Sequence, residues 1–261
     1  MLIDINAYVG HWPYKQLKYN TCDTLLQRMN QFGVDISVIS NLNGIFYKNT
    51  QRANEELHDE IKSNRQFRNR LLSFAVINPI YAGWKNDLAT CVDTFGMLGI
   101  RLYPKYHDYT LTDPNCIELV KMARDRGLSV ALSLRMVDSR QRSWMDIENE
   151  WELKDIIPLI REVPDARYII LNVANSTKLT NEEVTDIRSA NVVLDTSGRA
   201  LTNLGEMLEK FGKEKFAFGT HSPILDYLTG LLRIESLRAE EANEHTKDLL
   251  KSGNAKVILG I

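Results

Sequence analysis

The chain has 261 residues, a formal net charge of -2, 44% hydrophobic and 25% charged residues. No apolar run approaches the roughly 20 residues of a membrane span, and no basic excess marks a nucleic-acid face, so small-molecule chemistry is the default. Cys22, Cys91 and Cys116 stand far apart with no C-x-x-C pair, which argues against a disulfide framework or a thiolate zinc site. The first residues read as a strand rather than a basic and apolar leader, and the expectation is a cytoplasmic protein.

In chain order, Leu2 to Tyr8 is the first predicted strand, with Asp4, Asn6 and Tyr8 on one face and Ile3, Ile5 and Ala7 on the other. A helix capped near Thr21 or Asp23 follows and ends at Gly33. Ile36 to Asn41 is strand two, Gln51 to Ser63 a polar amphipathic helix, and Leu71 to Ile77 strand three, closed by Pro79. A helix from Trp84 to Phe95 leads to strand four at Gly99 to Pro104, and a helix from Asn115 to Arg126 to strand five at Ser129 to Arg135. After a long segment, Leu153 to Val163 is helical, with Pro158 at its start or at a kink. Ala166 to Asn172, Asn191 to Thr196 and Phe216 to His221 are strands six to eight, separated by helices at Thr180 to Ser189 and Leu201 to Phe211. Ile224 to Lys251 is a helical tail.

Eight strands alternating with helices predict a parallel sheet, closed as a single (β/α)8 barrel over residues 1–261 with a C-terminal helical extension. The alternative is an open doubly wound sheet, which lacks support because no G-x-G-x-x-G follows any strand. In a closed barrel the reacting groups sit at the C-terminal strand ends. The two-residue period then gathers Asn6, Tyr8, Asn41, Arg101, Tyr103, Ser133, Arg135, Asn172, Asp195 and His221, each subject to a one-residue slip of register. Ala131, Ser133, Ala217 and Gly219 are small and leave room for a ligand. Arg101 and Arg135 need an answering charge, either Asp4 or Asp195 across the barrel or a substrate carboxylate held in bidentate fashion; Arg140 and Arg142 could serve the same anion. His11, His107 and His221 follow strands one, four and eight. Trp12, Tyr14, Phe46, Tyr47, Tyr106, Tyr109 and Trp144 fall in loops on the same side, as rim packing or as an apolar lid.

The run Asp4-Ile-Asn-Ala-Tyr-Val-Gly-His-Trp-Pro, the strand Gly99-Ile-Arg-Leu-Tyr-Pro, the strand end Phe218-Gly-Thr-His-Ser-Pro223 and the closing Gly253-Asn-Ala255 resemble, in order and spacing, the amidohydrolase-related barrel family. The resemblance implies decarboxylase or lactonase chemistry on a carboxylate-bearing small molecule. It also implies a divalent metal held by His-x-His on strand one, His on strands five and six, and Asp on strand eight. Here Asn6, Tyr8, Ser133, Asn172 and His221 stand at those places, so the expected cofactor is none. A non-standard ion on His221, His107, Asp195 or Asp138 is the alternative.

The leading expectation is therefore hydrolysis of a small lactone or ester. His221 would be the general base, Asp195 would orient its ring, Tyr8 and Asn6 would donate to the developing oxyanion, and Arg101 or Arg135 would clamp a carboxylate. Tyr103, Ser133, Asn172, Asn41, Trp12 and His107 complete the binding set. A carbon-carbon lyase and a catalytically silent, ligand-binding barrel are the alternatives. A homodimer is the base-rate assembly.

Overall fold

The computed structural model describes residues 1–137, 142–147, 151–173, 178–198 and 203–261. Its strands are β1 (Ile3–Val9), β2 (Ile36–Asn41), β3 (Leu71–Val76), β4 (Gly99–Leu102), β5 (Ser129–Ser133), β6 (Arg167–Leu171), β7 (Val192–Asp195) and β8 (Phe216–Ala217). They lie in sequence order and each pairs parallel with the next. The ring closes where the chain beyond β8 meets β1: Ile5 N donates to Phe218 O (3.0 Å), His221 N to Asn6 O (2.6 Å) and Tyr8 N to Ser222 O (2.8 Å). This is a TIM barrel.

Around it run α1 (Cys22–Phe32), α2 (Asn43–Phe46), α3 (Thr50–Ser63), α4 (Arg65–Arg70), α5 (Trp84–Ala89), α6 (Pro104–His107) and α7 (Pro114–Asp125). The second half adds α8 (Ile157–Glu162), α9 (Asn181–Ser189), α10 (Leu204–Phe211), α11 (Thr229–Glu235), α12 (Glu244–Asp248) and α13 (Asn254–Leu259). Local chemistry sets their limits. The Thr21 hydroxyl accepts from Thr24 N, and Gly33 ends α1 in a left-handed conformation. Asp113 caps α7 and Pro114 occupies its first turn, where a missing N–H costs nothing. Pro158 likewise sits in the first turn of α8 and not at a kink.

The helices cover the outer strand face through a continuous apolar layer that includes Leu25, Met29, Ile39, Leu119, Ile160 and Phe211. The lower barrel interior holds Ile3, Ile5, Val38, Phe74, Ala131, Ile169 and Ala217, and Ala255, Ile258 and Leu259 of α13 pack into the same cluster. Ser129 Oγ donates to Ile258 O at 2.8 Å, tying that helix to β5. The predicted tail is therefore corrected: it is broken after Glu235, resumes at Glu244 and passes through a π-helical turn at Leu249–Gly253, and its last helix, beyond the expected span, plugs the barrel floor. No helix among the described residues is long and apolar enough to cross a membrane.

Two further differences shape the site. The register of β1 on β2 shifts between Asp4 and Ala7, so the strict alternation expected along β1 fails. Ile3 and Ile5 point inward, yet Asn6 and Tyr8 do too, while Asp4 is separated from them and binds Thr220. The eighth strand pairs only over Phe216–Ala217, because the backbone from 218 to 222 bonds with β1 and Leu250, and His221 turns left-handed (φ 57°).

Candidate active site

Asn6 and Tyr8 of β1, Arg101 of β4, Ser133 of β5, Asp195 of β7 and His221 beyond β8 converge, all buried, at the upper end of the barrel interior. Asn6 is their hub. Its amide nitrogen lies 2.6 Å from Asp195 Oδ2, 3.0 Å from His221 Nδ1 and 3.3 Å from Ser197 Oγ. Asp195 also accepts from Ser197 Oγ at 2.5 Å and, through its other oxygen, from Asn172 N at 2.7 Å. His221 Nε2 donates to Met136 O at 2.8 Å, which fixes the tautomer and leaves Nδ1 as the lone-pair nitrogen facing Asn6 and, at 3.4 Å, the Tyr8 hydroxyl. Tyr8 OH also meets Ser133 Oγ at 3.1 Å.

Burial sets the titration of this group. His221 is held at about pKa 3, first by desolvation and further by the nearby Arg101 charge. Desolvation pushes the Asp195 carboxyl and the Tyr8 phenol upward. Asp195 does not touch the His221 ring: the Asn6 amide stands between them. The geometry expected of a general base oriented by Asp195 is thus replaced by one in which both imidazole nitrogens are engaged.

Arg101 is fully buried, with its guanidinium 4.4 Å from the centre of the Tyr8 ring. NH1 donates to Ala7 O at 3.3 Å, while Nε and NH2 have no hydrogen-bond partner among the described residues. The Tyr103 hydroxyl is buried beside Arg101 and Tyr8, with no well-aligned hydrogen bond among the described residues. The expected pairing of Arg101 with Asp4 or Asp195 is not formed, because Asp4 is engaged by Thr220 and Asn6 N and Asp195 by Asn6, Ser197 and Asn172.

A cavity of about 20 Å³, enough for one water, opens beside this group between the ends of β4 and β5. Tyr103, Ser133, Arg135, Met136, Arg142 and Asp146 are among its walls. The room expected above Gly219 is taken: a Cβ there would lie 2.7 Å from Asp195 Oδ2 and 3.2 Å from Asn6 Cβ.

The other expected residues divide. Asn172, in a left-handed conformation (φ 54°), gives its side-chain N–H to Arg135 O at 3.0 Å and its own N–H to Asp195, so it braces the site. Asn41 is a correction: the β2 register turns it outward, where it donates to Ala53 O of α3, and it is Ser40 that falls on the interior parity. Trp12 packs edge-to-face with Tyr14, Phe46 and Tyr106 as part of a rim. His107 turns away to Gly44 O at 3.2 Å, and desolvation lowers its pKa. Trp144 is 90% exposed and covers nothing. Asp138 and Arg140 lie outside the described residues. Sequence reasoning missed Ser197 and Met136. Ser197 lies two residues beyond Asp195 and was accessible to the strand period, whereas Met136 acts through its backbone carbonyl, which leaves no mark in a sequence.

No family model and no curated protein matches the sequence. Solved structures do match the fold along its whole length. A 2,6-dihydroxybenzoate decarboxylase in complex with 2,6-dihydroxybenzoate superimposes with a TM-score of 0.74 at 15% identity, covering 100% of this chain and 99% of that one. A putative amidohydrolase from Staphylococcus aureus gives 0.74 at 14%, covering 100% and 99%. A dihydroxybenzoic acid decarboxylase from Polaromonas, with bound manganese and the inhibitor 2-nitroresorcinol, gives 0.74 at 14%, covering 99% and 96%. The fold is the barrel shared by these two decarboxylases and the putative amidohydrolase.

The manganese of that Polaromonas decarboxylase raises the question whether the residues here would suit such an ion. They do not. A divalent cation requires several convergent lone pairs from carboxylates, imidazoles or other anionic donors. Among the described residues no three His, Cys, Asp or Glu side chains come together in that way. Asp195 and His221 are the centre's remaining ligand types, and the amide N–H groups of Asn6 already occupy the lone pairs they turn inward.

Proposed function

We propose that this amidohydrolase-type barrel is a carbon-carbon lyase of the decarboxylase type, acting on a small aromatic acid whose carboxylate is received by Arg101 and Tyr103. The observation that carries the reading is the buried Arg101 guanidinium with two nitrogens unpartnered. An unanswered buried charge costs several kcal/mol, and a planar carboxylate is the group whose geometry answers it. The decarboxylases of dihydroxybenzoate and 5-carboxyvanillate among the similar structures support an aromatic acid rather than a lactone.

Loss of CO2 requires one proton delivered to the ring carbon that carried the carboxylate. As that proton bonds to carbon, the carbon-carbon bond breaks, its electron pair restores the ring, and CO2 departs uncharged. The Tyr8 hydroxyl, hydrogen-bonded to Ser133 Oγ at the cavity wall, would give that proton through the Ser133 hydroxyl and regain one from solvent at the cavity; His221 Nδ1 carries a lone pair and supplies none. Hydrolysis with His221 as general base has less support, because its lone pair on Nδ1 already accepts from the Asn6 amide and its pKa is near 3. A cavity of about 20 Å³ does not hold a benzoate, so on this reading side chains of its wall must move aside on binding.

A second reading is a silent barrel that binds such an acid without turning it over. It is favoured by the closed hydrogen-bond circuit of Asn6, Asp195, Ser197 and His221, which needs no substrate to complete it. Both readings require the Arg101 seat. Thermal shift with a panel of hydroxybenzoates and benzenedicarboxylates, on wild type and Arg101→Met, tests it. At least one acid should raise the wild-type Tm and leave the variant unmoved. The unliganded variant should itself melt higher than wild type, by about 1–4 kcal/mol of added stability, since an apolar side chain replaces an unpaired buried charge. A panel that shifts neither protein, or both equally, contradicts the seat.

A further inference from the structure

We infer that the Asn6 amide stands where an amidohydrolase-type barrel would hold its divalent cation, cross-linking Asp195 and His221 by hydrogen bonds and making the centre refuse metal. The inference goes beyond the proposed reaction and does not depend on which acid is bound.

Three observations carry it. The first is the orientation of the amide. With Nδ2 at 2.6 Å from Asp195 Oδ2 and 3.0 Å from His221 Nδ1, the two N–H groups face the carboxylate and the imidazole lone pair. The reverse orientation would set the amide oxygen against a carboxylate oxygen, acceptor on acceptor, so the assignment is forced. The second is the cost the protein bears for it: Asn6 Oδ1 is buried with no partner among the described residues. An acceptor is left unsatisfied so that the positive end of the amide can sit between two lone-pair donors. The third is the absence of space. The backbone of Gly219 runs so close that even a methyl group there would meet Asp195 and Asn6, and Met136 O closes the far side of His221 at 2.8 Å. An ion would have to displace the amide to reach the same lone pairs.

The experiment is equilibrium dialysis of the chelator-stripped protein against Mn2+ and, separately, Zn2+, with metal content read by elemental analysis. Wild type should retain neither ion. The companion variant is Asn6→Asp, which exchanges the donor for a carboxylate beside Asp195 and supplies a third ligand. In chelator two carboxylates then face each other at the former amide contact, so its Tm should fall below wild type. Mn2+ or Zn2+ should restore that Tm, with affinity at least about 100-fold above wild type, because three protein ligands make a catalytic-type site where two did not. One stoichiometric ion on the wild-type chain at micromolar concentration would overturn the inference. So would a folded Asn6→Asp variant whose Tm no metal moves. Should that variant fail to fold, the wild-type dialysis decides the matter alone.

Discussion

His221 shows how far a side chain's role depends on what surrounds it. At the sequence level it is a histidine at the mouth of a barrel, and a neutral imidazole there suits proton transfer. In the fold it is fully buried, gives one proton to Met136 O and receives the Asn6 amide at its other nitrogen, and desolvation carries its pKa to about 3. This has a consequence for stability. Between pH 6.5 and about 3 the unfolded chain takes up a proton on this residue that the native chain refuses, so its contribution is lost as pH falls through that window. Asp4 acts in the opposite sense: desolvation raises it to about 6, so the native chain gains a proton first and is favoured as pH falls from 6 toward 4. The difference between wild type and His221→Gln isolates the imidazole. Urea unfolding at pH 7 and pH 4.5 should show wild type losing about 2–3 kcal/mol relative to the variant on acidification. Parallel pH profiles for the two proteins would mean that His221 is not held neutral.

Elements were legible where local chemistry alone sets them, and less so where a neighbour decides. Thr21 and Gly33 announce both ends of α1, and β2 was placed at Ile36 to Asn41 from its β-branched run, because caps and apolar periods act within a few residues. The direction of side chains at the strand ends was another matter. The shift in β1 brings Asn6 in on the same side as Ile5, and the left-handed turns at Asn172 and His221 re-aim two further groups. These are responses to the neighbouring strands, and a strict two-residue period cannot register them. The same limit hid the role of α13: the left-handed Gly260 marks where it ends, but nothing local foretells that it seals the barrel floor. That role is open to measurement. Ile258 is buried against β-strand side chains, whereas Val257 beside it is 78% exposed. Ile258→Ala should cost about 2–5 kcal/mol by chemical denaturation, and Val257→Ala less than about 0.5 kcal/mol. Equal losses at the two positions would show that α13 does not plug the barrel.

Across the molecule, the apolar floor and the polar mouth divide one barrel between stability and chemistry. Below, α13 and the inward isoleucines fill the interior; above, the barrel encloses a guanidinium without a counter-charge and an amide between a carboxylate and an imidazole. The order of eight strands survives at about 15% identity to the similar decarboxylases, because a barrel asks of its strands only inward and outward faces of suitable size. The residues at the mouth are what distinguish this chain, and on the proposed function they receive an aromatic acid and release CO2 without a bound cation. The most direct measurement is 13CO2 release from carboxyl-labelled hydroxybenzoates by the purified protein, with and without EDTA. Release is expected from at least one acid, at a rate that EDTA leaves unchanged and that Arg101→Met abolishes. No release from any acid that binds, or release that EDTA stops and Mn2+ restores, would contradict it.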